Sequence, residues 1–202
     1  MIDKINCEKR IGNDIHKELI TLFKELQNGW LPPLHISEEE YNLVNKNKSN
    51  YPDYYVALVG LCATFGSKWF GGYARGNDNK GNPRDIPNEA IRNLICQIPN
   101  IQTVKFVSKN YLEFDKDKIK NCVVYCDPPY KDTTKYKNNS FDHDVFWDWC
   151  RYISKNNMVY ISEYNAPDDF ECIWSKEVTT SLKVKEHEQR TERLYVYNKL
   201  LI

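Results

Sequence analysis

The chain carries no net charge: 28 Lys+Arg stand against 28 Asp+Glu. Bulk charge therefore advertises no nucleic-acid partner, and any grip on phosphates must come from a local basic face. Long apolar runs are missing as well. The longest uncharged one, residues 54–65 (YYVALVGLCATF), falls short of the ~20 residues that span a bilayer. The opening MIDKINCEKR is charged from residue 3 and is no signal peptide. Seven cysteines, at 7, 62, 96, 122, 126, 150 and 172, are scattered and form no CxxC pair. Cys122 and Cys126 bracket the strand-like VVY, so a zinc site is not expected, and reduced thiols in a cytoplasmic protein are. No internal repeat or low-complexity tract interrupts the chain.

What is present suffices for one ordinary domain, or one with a modest insertion: 202 residues, 41% hydrophobic and 13% aromatic. Residues 9–14 (KRIGND) read as a short strand ending in an acid, with Asn13 or Asp14 as a helix cap. HKELITLFKELQ follows with apolar residues at 19, 20, 23 and 26, one helical face closed by Gly29. SEEEYNLVNK predicts a second helix capped by Ser37, with Glu40 three residues on. Residues 53–65 read as a buried helix, although their β-branched and aromatic content also suits a strand. Pro87 leads into a helix that Pro99 is expected to end. IQTVKFVS, NCVVYC and NMVYISEY predict strands, and FDHDVFWDWCRYIS a helix between the last two. KEVTT, SLKVKEH and RLYVYN predict a terminal hairpin or meander. Strands alternating with helices imply an α/β fold, mostly parallel, with an antiparallel terminal strand pair.

Residues 66–88 hold five of the eight glycines, together with Trp69, Phe70 and Tyr73. Four basic residues, Lys68, Arg75, Lys80 and Arg84, outnumber the acidic Asp78 and Asp85. So long a loop is usually functional. Its cations can grip phosphates, and Arg75 and Arg84 can pair with guanine edges. The competing reading is a solvated loop whose aromatics pack on the domain.

Asp127-Pro128-Pro129-Tyr130 follows the apolar strand VVYC. Ligands in open α/β sheets bind beyond the carboxyl ends of strands. Two prolines fix the backbone and remove two N–H donors, so the turn offers acceptors. Asp127 and the Pro128 carbonyl can take both hydrogens of an aromatic amino group, and Tyr130 can stack on its ring. That arrangement suits an amine attacking an electrophilic methyl. The plainer reading is a strand-end turn in which Asp127 caps a helix.

With IGNDIHKELI, CDPPYKDTTKY, FDHDVFWDW, VYISEYNAPDDF and ERLYVYN in place, the chain resembles the Dam-like DNA adenine-N6 methyltransferases. The resemblance implies a Rossmann-like methyltransferase sheet and the cofactor S-adenosylmethionine. It also implies a site-specific reaction on double-stranded DNA, as in restriction-modification, without a metal. Asp127, Pro128, Pro129 and Tyr130 would orient a flipped adenine. Asp14 would receive the cofactor's ribose hydroxyls, Asn110 and Tyr111 would edge its adenine, and Asp127 would adjoin it. Arg190 and Arg193 would join Lys68, Arg75, Lys80 and Arg84 on DNA.

His143 reads as a surface or capping residue, and Trp147 and Trp149 as helix packing. Glu163 reads as either a pocket residue or half of a structural ion pair. The expected domains are a catalytic one, residues 1–29 and 96–202, and a helical target-recognition insert, residues 30–95. The family's first strand and glycine-rich turn have no counterpart before Asp14, where Gly12 is the sole glycine. The chain is therefore expected to bind S-adenosylmethionine weakly or not at all, and to need a homodimer or a complementing N-terminal fragment. Two alternatives remain at this point: an RNA guanine amino-methyltransferase, and a non-catalytic DNA-binding fragment.

Overall fold

The computed structural model describes residues 2–130, 141–180 and 188–198. The chain divides into two compact units, Met1–Tyr111 and Leu112–Ile202. No described helix is long and apolar enough to cross a membrane.

The first unit contains β1 (Arg10–Asn13), α1 (Lys17–Gln27), α2 (Glu38–Lys46), α3 (Asp53–Cys62), α4 (Ile86–Ile101) and β2 (Val104–Val107). β1 and β2 pair in parallel, Arg10 opposite Val104 and Asn13 opposite Val107. The core gathers around α3, whose Val56, Ala57, Leu58, Val59 and Gly60 are all buried. A helix buried all round shows no apolar stripe, which explains its ambiguity in sequence. α1, α2 and α4 all pack on it. Gln27 at the end of α1 donates to the carbonyls of Ile101 (2.7 Å) and Val104 (2.8 Å), tying α1 to the turn between α4 and β2.

Two helix ends differ from expectation. The cap of α1 is His16, whose Nδ1 accepts from the Leu19 amide at 3.2 Å, while the Asp14 carboxylate accepts from the His16 amide at 2.7 Å. α4 runs through Pro99 to Ile101. In the last turn, proline forfeits little beyond its own bond to the carbonyl four residues back, and buried Ile101 anchors the end. Ser37 caps α2 as expected, accepting from the Glu40 amide at 3.1 Å.

The second unit contains β3 (Val123–Cys126), α5 (His143–Ser154), β4 (Met158–Glu163), β5 (Phe170–Thr180) and β6 (Glu188–Tyr197). Its sheet has the order β3-β4-β6-β5. β3 and β4 are parallel, joined across α5, and the remaining pairs are antiparallel. The expected terminal antiparallel pair is thus β5 with β6, and SLKVKEH lies outside the described residues. Asp142 caps α5 through the Val145 amide (3.0 Å). The helix buries Phe146, Trp147, Cys150 and Ile153, and Trp147 meets Phe170 with ring centres 4.6 Å apart. Arg151 clasps Asp169 with two hydrogen bonds, 2.5 and 2.8 Å, fixing α5 to the start of β5. The architecture is mixed α/β, with parallel and antiparallel pairing.

Candidate active site and nucleic-acid interface

β3 ends at Cys126, and the turn Asp127–Tyr130 begins at once. Pro128 is buried while Asp127 and Pro129 are exposed, so the chain is anchored at the first proline and the carboxylate-bearing residue stays open to solvent. Tyr130 is half-buried. Its hydroxyl shares a 2.6 Å hydrogen bond with the Ser162 hydroxyl on β4, and its ring meets Tyr164 edge-on with centres 4.6 Å apart. This follows from register: Cys126 lies opposite Ile161, so the residues beyond β3 run alongside Ser162 and its successors. Burial pushes the Tyr130 hydroxyl up to about 12; the Ser162 hydrogen bond opposes that shift, and the charges of Asp127 and Glu192 reinforce it. The phenol is therefore neutral throughout the physiological range.

Behind the turn, interaction with the Cys126 thiol, together with burial, drives the Cys150 thiol far above its ordinary range. Glu163 is 1% exposed and its Oε1 accepts from the Tyr164 amide at 2.7 Å. The Tyr164 carbonyl in turn accepts from the Arg193 guanidinium and from the Tyr195 hydroxyl (3.1 Å). Arg193 is thus engaged in holding the Ser162–Tyr164 rim. Arg190 lies on β6 opposite Val178. His143 is the first residue of α5, beside the Phe141 ring. The TTKY segment lies outside the described residues.

In the first unit, Asp14 follows β1, and Asn110 and Tyr111 follow β2. An amide clasp joins the two strand exits: the Asn13 side chain donates to the Lys109 carbonyl (3.1 Å) and accepts from its amide (3.2 Å). Asp14 is half-buried, as are Asn110 and Tyr111. Gly12 lies within β1, and a Cβ there would meet the Phe106 ring at 2.7 Å. Packing accounts for that glycine.

The 66–88 loop is built on α3. Gly60 lets Trp69 and Phe70 sit against the helix, since a Cβ there would lie 2.8 and 2.6 Å from their rings. Thr64 donates to the Lys68 carbonyl (2.9 Å), and the Tyr73 hydroxyl donates to the Ile36 carbonyl (2.8 Å). Beyond Tyr73 the chain forms a tight polar turn. Asn77 bridges Pro83, and the Asp78 carboxylate accepts from the amides of Lys80 and Asn82, each at 2.8 Å. The Asn82 side-chain amide (3.0 Å), together with those backbone contacts, holds the Asp78 carboxyl below its ordinary range. Gly81 supplies the positive φ, 86°, that the turn requires.

Lys68 and Lys80 are exposed. Arg75 and Arg84 border one cavity of about 460 Å³, which His35 and Asp85 also line. Both arginines are bound by carboxylates that sequence reasoning missed: Arg75 by Glu38, and Arg84 by Glu89. Only the five-residue spacing of the second pair was visible in the chain. Among the described residues, no group of three or more His, Cys, Asp or Glu could hold a metal ion.

A family model described as the D12 class N6 adenine-specific DNA methyltransferase matches residues 60–192. No curated protein matches the sequence. Among solved structures, a Haemophilus influenzae protein described as a methylase matches at 18% identity and a TM-score of 0.27, over 58% of this chain and 66% of its own. The chain thus spans just under two thirds of the length of that structure.

Proposed function

The chain belongs to the D12 class N6 adenine-specific DNA methyltransferase family, and from that premise we propose that it transfers a methyl group from S-adenosylmethionine to the N6 amine of adenine at a specific site in double-stranded DNA. The observation that carries the reading is the turn after β3. Its acid is exposed, its first proline is buried, and its tyrosine is braced by Ser162 and Tyr164. In this proposal Asp127 and the Pro128 carbonyl accept the two amine hydrogens of a flipped adenine and raise the electron density on its nitrogen. The Tyr130 ring stacks on the base. Orientation and preorganised acceptors supply the rate enhancement, and no covalent enzyme intermediate is needed.

S-adenosylmethionine supplies the electrophilic methyl when bound. Asp14 would take its ribose hydroxyls, with Asn110 and Tyr111 beside the purine; the Asn13–Lys109 clasp supports this by fixing the two strand exits to each other.

The proposed domains are residues 1–29 and 96–202 for catalysis and 30–95 for target recognition, where Lys68, Arg75, Lys80 and Arg84 face DNA, with Arg190 and Arg193 from β6. The sheet is read as Rossmann-like; the parallel pairs β1 with β2 and β3 with β4 support this reading. A cytoplasmic restriction-modification role goes with this reading.

The test is transfer of labelled methyl from S-adenosylmethionine. N6-methyladenine in duplex DNA supports the reading, whereas label on RNA guanine replaces it. Gel shifts with and without cofactor address the DNA-binding module that would remain if turnover is absent.

A further inference from the structure

Three cation–carboxylate pairs involve residues lining the cavity beneath the 73–85 segment. His35 Nδ1 lies 2.8 Å from Asp85 Oδ2, Arg75 Nε donates to Glu38 at 3.1 Å, and Arg84 Nε donates to Glu89 at 2.9 Å. Both guanidiniums are gripped at two nitrogens, in the planar fork geometry that a phosphate diester can also satisfy. All four side chains are well exposed: Arg75 68% against Glu38 43%, Arg84 46% against Glu89 45%. The Arg84 guanidinium holds the Glu89 carboxyl below its ordinary range, so the pair is ionised at neutral pH.

The carboxylates come from elements that hold them still. Glu38 and Glu89 sit in the first turns of α2 and α4, where the helix dipole favours a negative charge. The arginines sit on the glycine-rich segment between them. This face is poised but neutralised: its fork-shaped donors are already aimed at anionic oxygens.

We infer that Glu38 and Glu89 hold Arg75 and Arg84 on stand-by until DNA backbone phosphates displace them, and so set how tightly the chain grips duplex of any sequence. The inference rests on the reading of the chain as a DNA methyltransferase. An exposed Arg–carboxylate pair is weak enough to exchange, while phosphate contact gains from counterion release. The internal carboxylates therefore tax every encounter equally, whatever the sequence. Removing them should tighten binding to duplex in general, random sequence included.

The experiment is fluorescence anisotropy of the full chain with a labelled duplex of random sequence, over a series of potassium chloride concentrations. E38Q and E89Q are each expected to tighten low-salt binding about two- to fivefold, the scale of an exposed ion pair. In the R75A background, E38Q is expected to lose that effect, as is E89Q in R84A. Equal tightening without the partner arginine would reduce the effect to general charge and overturn the inference. No tightening, in a chain that binds duplex, overturns the inference and leaves the methyltransferase reading intact. Failure of both the wild type and the E38Q/E89Q double variant to bind at any salt concentration overturns the two together.

Discussion

The turn after β3 and the 66–88 loop both carry polar chemistry, yet they are built on opposite lines. At the turn, Pro128 is buried and Tyr130 is held through uncharged partners: a hydroxyl at 2.6 Å and an aromatic edge at 4.6 Å. In the loop, the two arginines are held by exposed carboxylates that a competing anion can replace. The difference teaches what each proposed task demands. Presenting a reacting amine needs geometry accurate to a fraction of an ångström, which packing and short neutral hydrogen bonds provide. Holding a phosphate backbone needs charge and exchange, which surface ion pairs provide.

The hardest blow to this comparison is Asp127→Ala. Turnover should fall by at least about 100-fold, while affinity for duplex, carried by the loop, stays within about twofold. Parallel methyl-transfer and anisotropy measurements check it, and a joint loss of both properties would erase the division of labour. Next comes Gly60→Ala. Its Cβ would press on Phe70 and Trp69, costing about 1–3 kcal/mol in stability and weakening DNA binding. Denaturant melts and binding curves should move together, with the rate at saturating DNA retained.

Tyr130→Phe removes the bond to Ser162 and should cost about 1 kcal/mol, with a lower rate and unchanged DNA affinity. A ring that stacks equally well without its hydroxyl would leave the rate untouched and shift the emphasis to Tyr164.

The smallest effect concerns acid. The Arg151 hydrogen bond holds the Asp169 carboxyl below 3.8. A depressed carboxylate contributes stability that is fully present above its unfolded value and is lost as pH falls through the folded one. The melting temperature of the wild type should therefore drop between pH 5 and about pH 3, and part of that drop should vanish in Asp169→Asn. The pair is about one-third exposed, so the effect is modest.

The turn was legible in the sequence because its signal is local: four consecutive residues after an apolar strand. Ser37 announced α2 in the same way, whereas α5 is capped by Asp142 and not by its neighbour His143. His16 was harder to see, because an imidazole competes for a cap only when the backbone before it is bent back, here by Asp14. Glu38 stayed hidden because its partner lies 37 residues away, a distance that only the folding of α2 against the loop closes. The contact of Arg193 with the Tyr164 carbonyl stayed hidden too, because strand pairing decides the register opposite Glu163 that brings them together. Nothing local in the sequence announces Gly60, whose missing side chain makes room for the aromatic residues of the loop.

The decisive measurement is mass spectrometry of nucleosides from duplex DNA and from RNA, each incubated with the protein and S-adenosylmethionine, for the wild type and for Asp127→Ala. N6-methyladenine in DNA alone, present with the wild type and absent with the variant, is the expected result. Methylated guanine in RNA, or N6-methyladenine formed equally well by the variant, would contradict the role assigned to the Asp127–Pro128 acceptors.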